Sequence, residues 1–204
     1  AMSNLIKIVK GAAAVVAEDA WQIVSLPAAE AEVKKQAGKV VLFKLTNAES
    51  ATAEQIAATE LPAGRVLLPL PVFLARRAEF AARLAAGEVG VWLATHELVE
   101  TLVEAEPDLA VFPVIAVFIE RFADGRAYSS AALLRTRYGF KHELRAVGDV
   151  LRDQLFFLRR CGFDAFQIRA DRSAEDALPS LQDFSEPYQA AALAAQHMWR
   201  RQAR

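Results

Sequence analysis

From residue 65 onward, short apolar runs alternate with helix-sized segments, and this alternation constrains the fold more than any other feature of the chain. The apolar, strand-sized runs cover residues 65–70, 89–93, 110–119, 143–147 and 165–169. The segments between them carry apolar residues at helical spacing, and several end at a glycine. Strands separated by single helices are joined by right-handed crossovers and form a mainly parallel sheet. The pattern therefore predicts an α/β protein of repeated βα units, either an open sheet or a partial barrel.

The first 60 residues show a different pattern, which predicts a β-rich cover over this core. Short β-prone runs between Leu5 and Leu26 indicate a hairpin or meander at one edge of the sheet, with Trp21 as a buried anchor. Residues 28–37 are helix-prone, residues 39–45 favour a strand, and residues 48–60 favour a short helix or a surface insertion. We divide the chain into an N-terminal cover with an inserted segment (1–60), an α/β core (61–184) and a C-terminal helix with a basic tail (185–204).

Composition and motifs argue against several classes of protein. The net charge of −1 gives no reason to expect nucleic acid binding, and no run approaches the roughly 20 apolar residues of a membrane span. We expect a cytoplasmic bacterial protein. Cys161 is the single cysteine, which excludes an internal disulfide and argues against an iron–sulfur cluster within one chain. The three histidines lack metal-ligand spacing, and no nucleotide, flavin, haem or nucleophile-elbow motif occurs, so the cofactor is unknown.

The charge is unevenly distributed along the chain. Between residues 121 and 172 there are eleven Lys or Arg but only six Asp or Glu. A local excess of positive charge of this kind indicates an anionic ligand or an acidic partner surface.

Ligands of parallel α/β sheets bind beyond the carboxyl ends of the strands, so the residues that follow the predicted strands are the candidates for a site. The candidate ligand-binding residues are Arg121, Gly125, Arg126, Tyr128, Ser129, Ser130 and Arg145. The loop 125–130 precedes a predicted helix, where backbone N–H groups and a capping serine would cradle an anion, although a capped helix start is also ordinary structure. Asp124 and Asp149 are weak candidates for an acid or base, and Asp149 reads more simply as a helix cap. Arg145, within a strand, faces solvent or a carboxylate such as Asp149 or Asp124, and a structural ion pair is the simpler interpretation.

Three stretches carry a resemblance to a known family: DGRAYSSAALLRTRYGF, ELRAVGDVLRDQLFFLRRCGFDAF and FSEPYQ. They resemble the core of a bacterial family called domain of unknown function nine hundred and thirty-four. The resemblance covers residues 61–189, with weaker agreement over residues 6–21, and residues 28–60 are additional length of unknown role.

The resemblance implies a role in assimilatory sulfite reduction and cysteine biosynthesis. Members are labelled as oxidoreductases of sulfite reduction, and their genomic placement is similar to that of accessory partners of the sulfite reductase hemoprotein. It supplies no catalytic residues, so whether the protein is an enzyme stays open. Two alternatives remain: an α/β enzyme or binding protein for a small anion held at Gly125–Ser130, and a scaffold that forms a homodimer.

Overall fold

The computed structural model describes residues 4–9, 13–26, 33–36, 39–42, 51–121 and 125–181. In chain order, the strands are β1 (Leu5–Ile8), β2 (Ala14–Ala17), β3 (Trp21–Ile23), β4 (Val33–Gln36), β5 (Lys39–Leu42), β6 (Arg65–Pro69), β7 (Val89–Ala94), β8 (Val114–Ile119), β9 (Glu143–Gly148) and β10 (Ala165–Gln167). The helices are α1 (Ala53–Ala57), α2 (Leu70–Arg76), α3 (Ala81–Ala85), α4 (Val99–Ala105), α5 (Arg126–Thr136), α6 (Leu155–Cys161) and α7 (Ala174–Ala177). Short 3-10 segments lie at Arg77–Phe80, Leu109–Val111, Arg152–Gln154 and Leu178–Leu181.

Within the described residues, eight strands form one sheet in the order β2-β1-β10-β9-β8-β7-β6-β3. Six neighbouring strands run parallel to one another: β3, β6, β7, β8, β9 and β10. β1 is antiparallel to both β10 and β2. The sheet is therefore mixed rather than purely parallel. Because β6 to β10 follow chain order, each right-handed crossover adds its strand on the same side and its helix on the same face. The sheet consequently curls into a half-barrel, which decides between the two predicted forms.

The two faces of the sheet carry different cores. The outer face packs against the helices in one large apolar cluster, to which all the buried apolar residues of α2, α4, α5 and α6 belong. The inner face carries a smaller cluster without helical residues. It consists of the buried Leu67, Val114, Ala116 and Val147 and the half-buried Trp21, Ile23, Trp92 and Phe118. The helices thus cover one face only, and the curl of the sheet encloses the other.

The predicted N-terminal hairpin is present, and it extends the sheet at β10. β3, from the same part of the chain, lies at the opposite edge beside β6, a separation that the local pattern did not indicate. The helical tendency of residues 28–37 is wrong for β4, which pairs with β5 as an antiparallel ladder. Cross-strand pairing there overrides a helix propensity worth only tenths of a kcal/mol per residue.

Some predictions fall outside the described residues. The predicted C-terminal helix and basic tail (185–204) are not among the residues that the structure describes. The division of the chain into three parts stays a prediction. Among the described helices, none has the length and apolar character needed to cross a membrane.

Candidate functional site

The carboxyl ends of β8, β9 and β10 meet at one edge of the sheet. Ile119 pairs with Gly148, and the N–H of Asp149 donates to the Ile119 carbonyl at 2.8 Å. The N–H of Arg169 donates to the Val150 carbonyl at 3.2 Å. We call this region, residues 119–121, 148–150 and 168–172, the carboxyl edge. The loops that follow three strands thus become neighbours, because parallel strands end on the same side.

Gly148 fixes the turn that positions Asp149. Its φ of +94° lies in the left-handed region, which residues with a side chain rarely adopt. A Cβ atom at this position would lie 2.5 Å from the Ile119 carbonyl oxygen, a contact that only a backbone shift relieves. Glycine is therefore required for β9 to approach β8 at this point and for Asp149 to leave the sheet in its observed direction.

Arg169 links two carboxylates at the carboxyl edge. Its Nη1 lies 3.0 Å from Asp149 Oδ1, and its Nε and Nη2 each lie 2.6 Å from one oxygen of Asp171. This two-pronged hydrogen bonding holds the pKa of Asp171 at about 2 and raises the pKa of Arg169. Arg169 thus forms ion pairs with both carboxylates, and Asp149 is an ion-paired carboxylate.

The prediction that Asp149 caps a helix is wrong. Helical structure after β9 begins only at Arg152, with Leu151 as the capping residue, and α6 starts at Leu155. Gly148 and Asp149 instead form a tight turn, in which the Val150 N–H donates to the Gly148 carbonyl at 2.9 Å. A Gly-Asp pair after a strand is compatible with either arrangement. In the structure Gly148 forms the turn, and Asp149 pairs with Arg169.

The candidate anion loop 125–130 is largely helical. α5 begins at Arg126 with Gly125 as its capping residue, so Tyr128, Ser129 and Ser130 belong to the helix and no serine caps it. Ser130 is buried, and burial together with the nearby Cys161 raises the pKa of the half-buried Tyr128. What remains at the helix start is the exposed Arg126, close in sequence to the exposed Arg121. Asp124 lies outside the described residues.

Arg145 belongs to the inner face and not to the carboxyl edge. Its side chain is fully buried, with Nη1 2.9 Å from Asp19 Oδ1 and Nη2 2.8 Å from Glu143 Oε2. Glu143 also pairs with Lys7 at 2.8 Å. We call Lys7, Asp19, Glu143 and Arg145 the inner-face quartet. The expected ion pair exists, but with Asp19 and Glu143 in place of the expected Asp149 or Asp124.

The positive charge of residues 121–172 does not accumulate at the carboxyl edge. Five of these cations, Arg135, Arg137, Lys141, Arg159 and Arg160, lie in or after the last turns of α5 and α6, and therefore toward the amino ends of the strands. At the carboxyl edge and the helix starts beside it, the described cations are interspersed with the acids Glu120, Asp149, Asp153 and Asp171. This edge is mixed in charge, and its exposed cations nearest α5 are Arg121 and Arg126.

Glu97 is a further acid at the carboxyl side of the sheet that the sequence interpretation missed. It follows β7, and its Oε1 accepts a hydrogen bond from the Ala94 N–H at 2.8 Å. Burial raises the pKa of Glu97, while this hydrogen bond and the neighbouring His96 act in the opposite direction. Glu97 is the third residue after β7, so a search of the whole loop that follows this strand would have included it.

Fold and edge together define an α/β protein with a curled, mixed sheet and charged residues gathered where its parallel strands end. Among the described residues, no group of three or more His, Cys, Asp or Glu is placed to hold a metal ion. Residues 90–199, slightly more than half of the chain, match a family described as bacterial protein of unknown function (DUF934). The chain belongs to this family, as the resemblance predicted. No curated protein and no solved structure matches it.

Proposed function

We propose that this protein is an accessory component of assimilatory sulfite reduction that acts with the sulfite reductase hemoprotein in cysteine biosynthesis. Membership in the DUF934 family, which resembles such components in labelling and genomic placement, carries the proposal. The two longer stretches of the resemblance supply α5, β9, α6 and β10, which form one continuous part of the fold. That part includes the Asp149 turn, so the resemblance coincides with the carboxyl edge.

The hemoprotein would dock at this edge, beside the start of α5. Arg121 is exposed and makes no ion pair with any residue that the structure describes, and Arg126, at the first position of α5, is also exposed. Such cations favour an acidic partner surface, and they act mainly on the rate and specificity of association. In this proposal the redox centre belongs to the hemoprotein, and the protein assists electron delivery or assembly.

The test is direct binding of the purified protein to the hemoprotein by biolayer interferometry at low and high salt. Replacing both Arg121 and Arg126 by Glu should weaken association by about tenfold or more at low salt and flatten its salt dependence. Arg137→Glu is the matched control, since Arg137 is exposed at the opposite end of α5 and should leave binding unchanged. No association at low salt, together with unchanged sulfite turnover in a deletion strain, would overturn the proposal.

A second candidate function is the binding of a small anion at the start of α5. The first-turn N–H groups of an 11-residue helix favour an anion, and Arg126 lies in this turn. Thermal unfolding with sulfate, phosphate and nucleotides tests it. A stabilisation that disappears in Arg126→Ala but persists in Arg137→Ala supports a site there, and an equal response in both variants rules the site out.

The visible absorption spectrum of the freshly purified protein separates the accessory role from an enzyme with its own redox centre. A flavin or haem band would show that a cofactor accompanies this chain and would move the electron-transfer step into the protein itself.

A further inference from the structure

β3 is an edge strand of the sheet. It pairs with β6 on one side, and no described strand pairs with it on the other. The N–H of Val24 donates to the Leu67 carbonyl of β6 at 2.9 Å. Because backbone groups alternate between the two sides of a strand, the N–H and carbonyl of Ile23 point the other way, out of the sheet. An open edge of this kind is a template on which another strand can pair.

A groove of about 620 Å³ runs along this edge. One wall consists of four consecutive residues, Gln22 to Ser25, and the other consists of Gln55 and residues 58–62. Gln22 and Ile23 belong to β3, and Val24 and Ser25 follow it directly, so this wall runs along the backbone of β3 and of the residues after it.

The wall opposite β3 is held in place by hydrogen bonds. Arg76 Nη1 donates to the Thr59 carbonyl at 2.9 Å, and Arg83 Nη2 donates to the Pro62 carbonyl at 2.9 Å. The Gln22 side chain donates to the Ala63 carbonyl at 2.9 Å, which joins the two walls near one end. The groove is therefore formed before any ligand arrives, and binding there avoids most of the entropic cost of ordering a loop.

Glu60 gives the groove a charge preference. It lines the groove, its side chain is exposed, and it forms no ion pair with any described residue. A Lys or Arg side chain on the ligand would find a carboxylate here, whereas an acidic side chain would be repelled.

We propose that the β3 edge binds an extended segment of a partner polypeptide, which adds to the sheet as a ninth strand and places a Lys or Arg beside Glu60. Main-chain groups spaced along an edge fit an extended backbone, whereas a helix has already satisfied its own main-chain groups. This interaction does not depend on the proposed role in sulfite reduction, which uses the carboxyl edge beside α5.

The test uses the full ¹⁵N-labelled chain and the seven-residue peptide acetyl-TVTKTVT-amide as a probe of strand addition. Titration should shift the amide signals of Ile23 and Ser25 in two-dimensional NMR spectra. Two further peptides are methylated on alternate backbone nitrogens, one on the odd and one on the even residues. Because only one set of N–H groups faces β3, one of them should bind at least about tenfold more weakly and the other should retain binding.

Charge reversal tests the role of Glu60. A peptide with Glu in place of Lys should bind about two- to fivefold more weakly, and Glu60→Lys should invert this preference, as expected for an exposed ion pair. Glu54→Lys is the matched control, because Glu54 is exposed on α1 outside the groove and should not alter the preference.

Several results would overturn the proposal. They are the absence of binding at millimolar peptide, shifts away from β3, and equal binding of the two methylated peptides. Concentration-dependent self-association that blocks the probe would assign the edge to a second copy of the chain.

Discussion

Replacing Arg145 by Met removes the only fully buried charge among the described residues and leaves its two partners in place. Arg145 lies between Asp19 and Glu143 on the inner face of the sheet, with both carboxylates within 3.0 Å. Methionine fills a similar volume without a charge, so the variant tests the ion pairs more than the packing. The expected result is a clear loss of stability, since two carboxylates lose their buried counterion.

The magnitude follows from how deeply the partners are buried. Removing one member of a fully buried pair costs about 3–5 kcal/mol. Here the side chains of Asp19 and Glu143 keep 23% and 15% of their exposure, and Lys7 still pairs with Glu143. Water and Lys7 offset part of the loss, so we expect a decrease of about 2–4 kcal/mol in the free energy of unfolding. For a chain of this length, that corresponds to a fall of about 5–15 °C in Tm.

Urea unfolding followed by circular dichroism measures this difference. The matched control is Arg121→Met, which removes an exposed arginine and should change the free energy of unfolding by no more than about 0.5 kcal/mol. Combining Arg145→Met with Glu143→Gln should cost less than the sum of the two single changes, because the second removes a charge that the first left unpaired. A loss in Arg145→Met no larger than that of the control would refute the reasoning.

Three further predictions concern other parts of the fold. Gly148→Ala should destabilise the protein by about 2–3 kcal/mol through its positive φ and its contact with the Ile119 carbonyl, whereas Gly125→Ala, with open space around it, should change stability by less than about 1 kcal/mol. Equal effects in urea unfolding would disprove this steric explanation. Arg135→Met should cost about 2–4 kcal/mol, since three backbone carbonyls lose a buried donor, and a near-neutral effect in the same assay would contradict it. Burial raises the pKa of Glu97 above its ordinary value of 4.5. Protonated Glu97 therefore contributes fully to the free energy of unfolding below that pH, and this contribution is lost as the pH rises through the folded-state pKa. The free energy of unfolding of Glu97→Gln should therefore increase relative to that of the wild type above about pH 4.5. If the free energies of unfolding of the two proteins changed with pH in parallel, a buried carboxylate with a raised pKa would be ruled out.

Much of the core could be predicted because its signals are local. An apolar run buried on both faces indicates a strand, and a glycine after a helical stretch indicates its end, as at Gly139 and Gly162. The N-terminal hairpin was also predictable from its short β-prone runs. The boundaries of the helices were less predictable. The helices after β8 and β9 were expected to begin at residues 130 and 149, but α5 begins at Arg126 and helical structure after β9 begins at Arg152. Capping serines and aspartates fit several starting points, and packing against the sheet selects one.

The candidate site depended more strongly on the fold. Parallel pairing brings the ends of β9 and β10 to one edge, where Asp149 lies beside Arg169, a residue that the sequence analysis did not select. The rule that strand ends converge failed for Arg145, because alternation along a strand shows that a side chain faces one side of the sheet but not which elements lie there. Asp19, its partner, is 126 positions away in the chain.

The sequence by itself determined the class of fold, the strands of the α/β core, and the family, because periodicity, glycines and the family motifs are all read from neighbouring residues. Only the tertiary structure decided that β1 and β3 lie toward opposite sides of the sheet, and that the cations divide between two edges and the inner face. It also decided that, among the described residues, β3 has no strand on its outer side. These features depend on the order in which strands pair, and that order is set by the burial of the whole core.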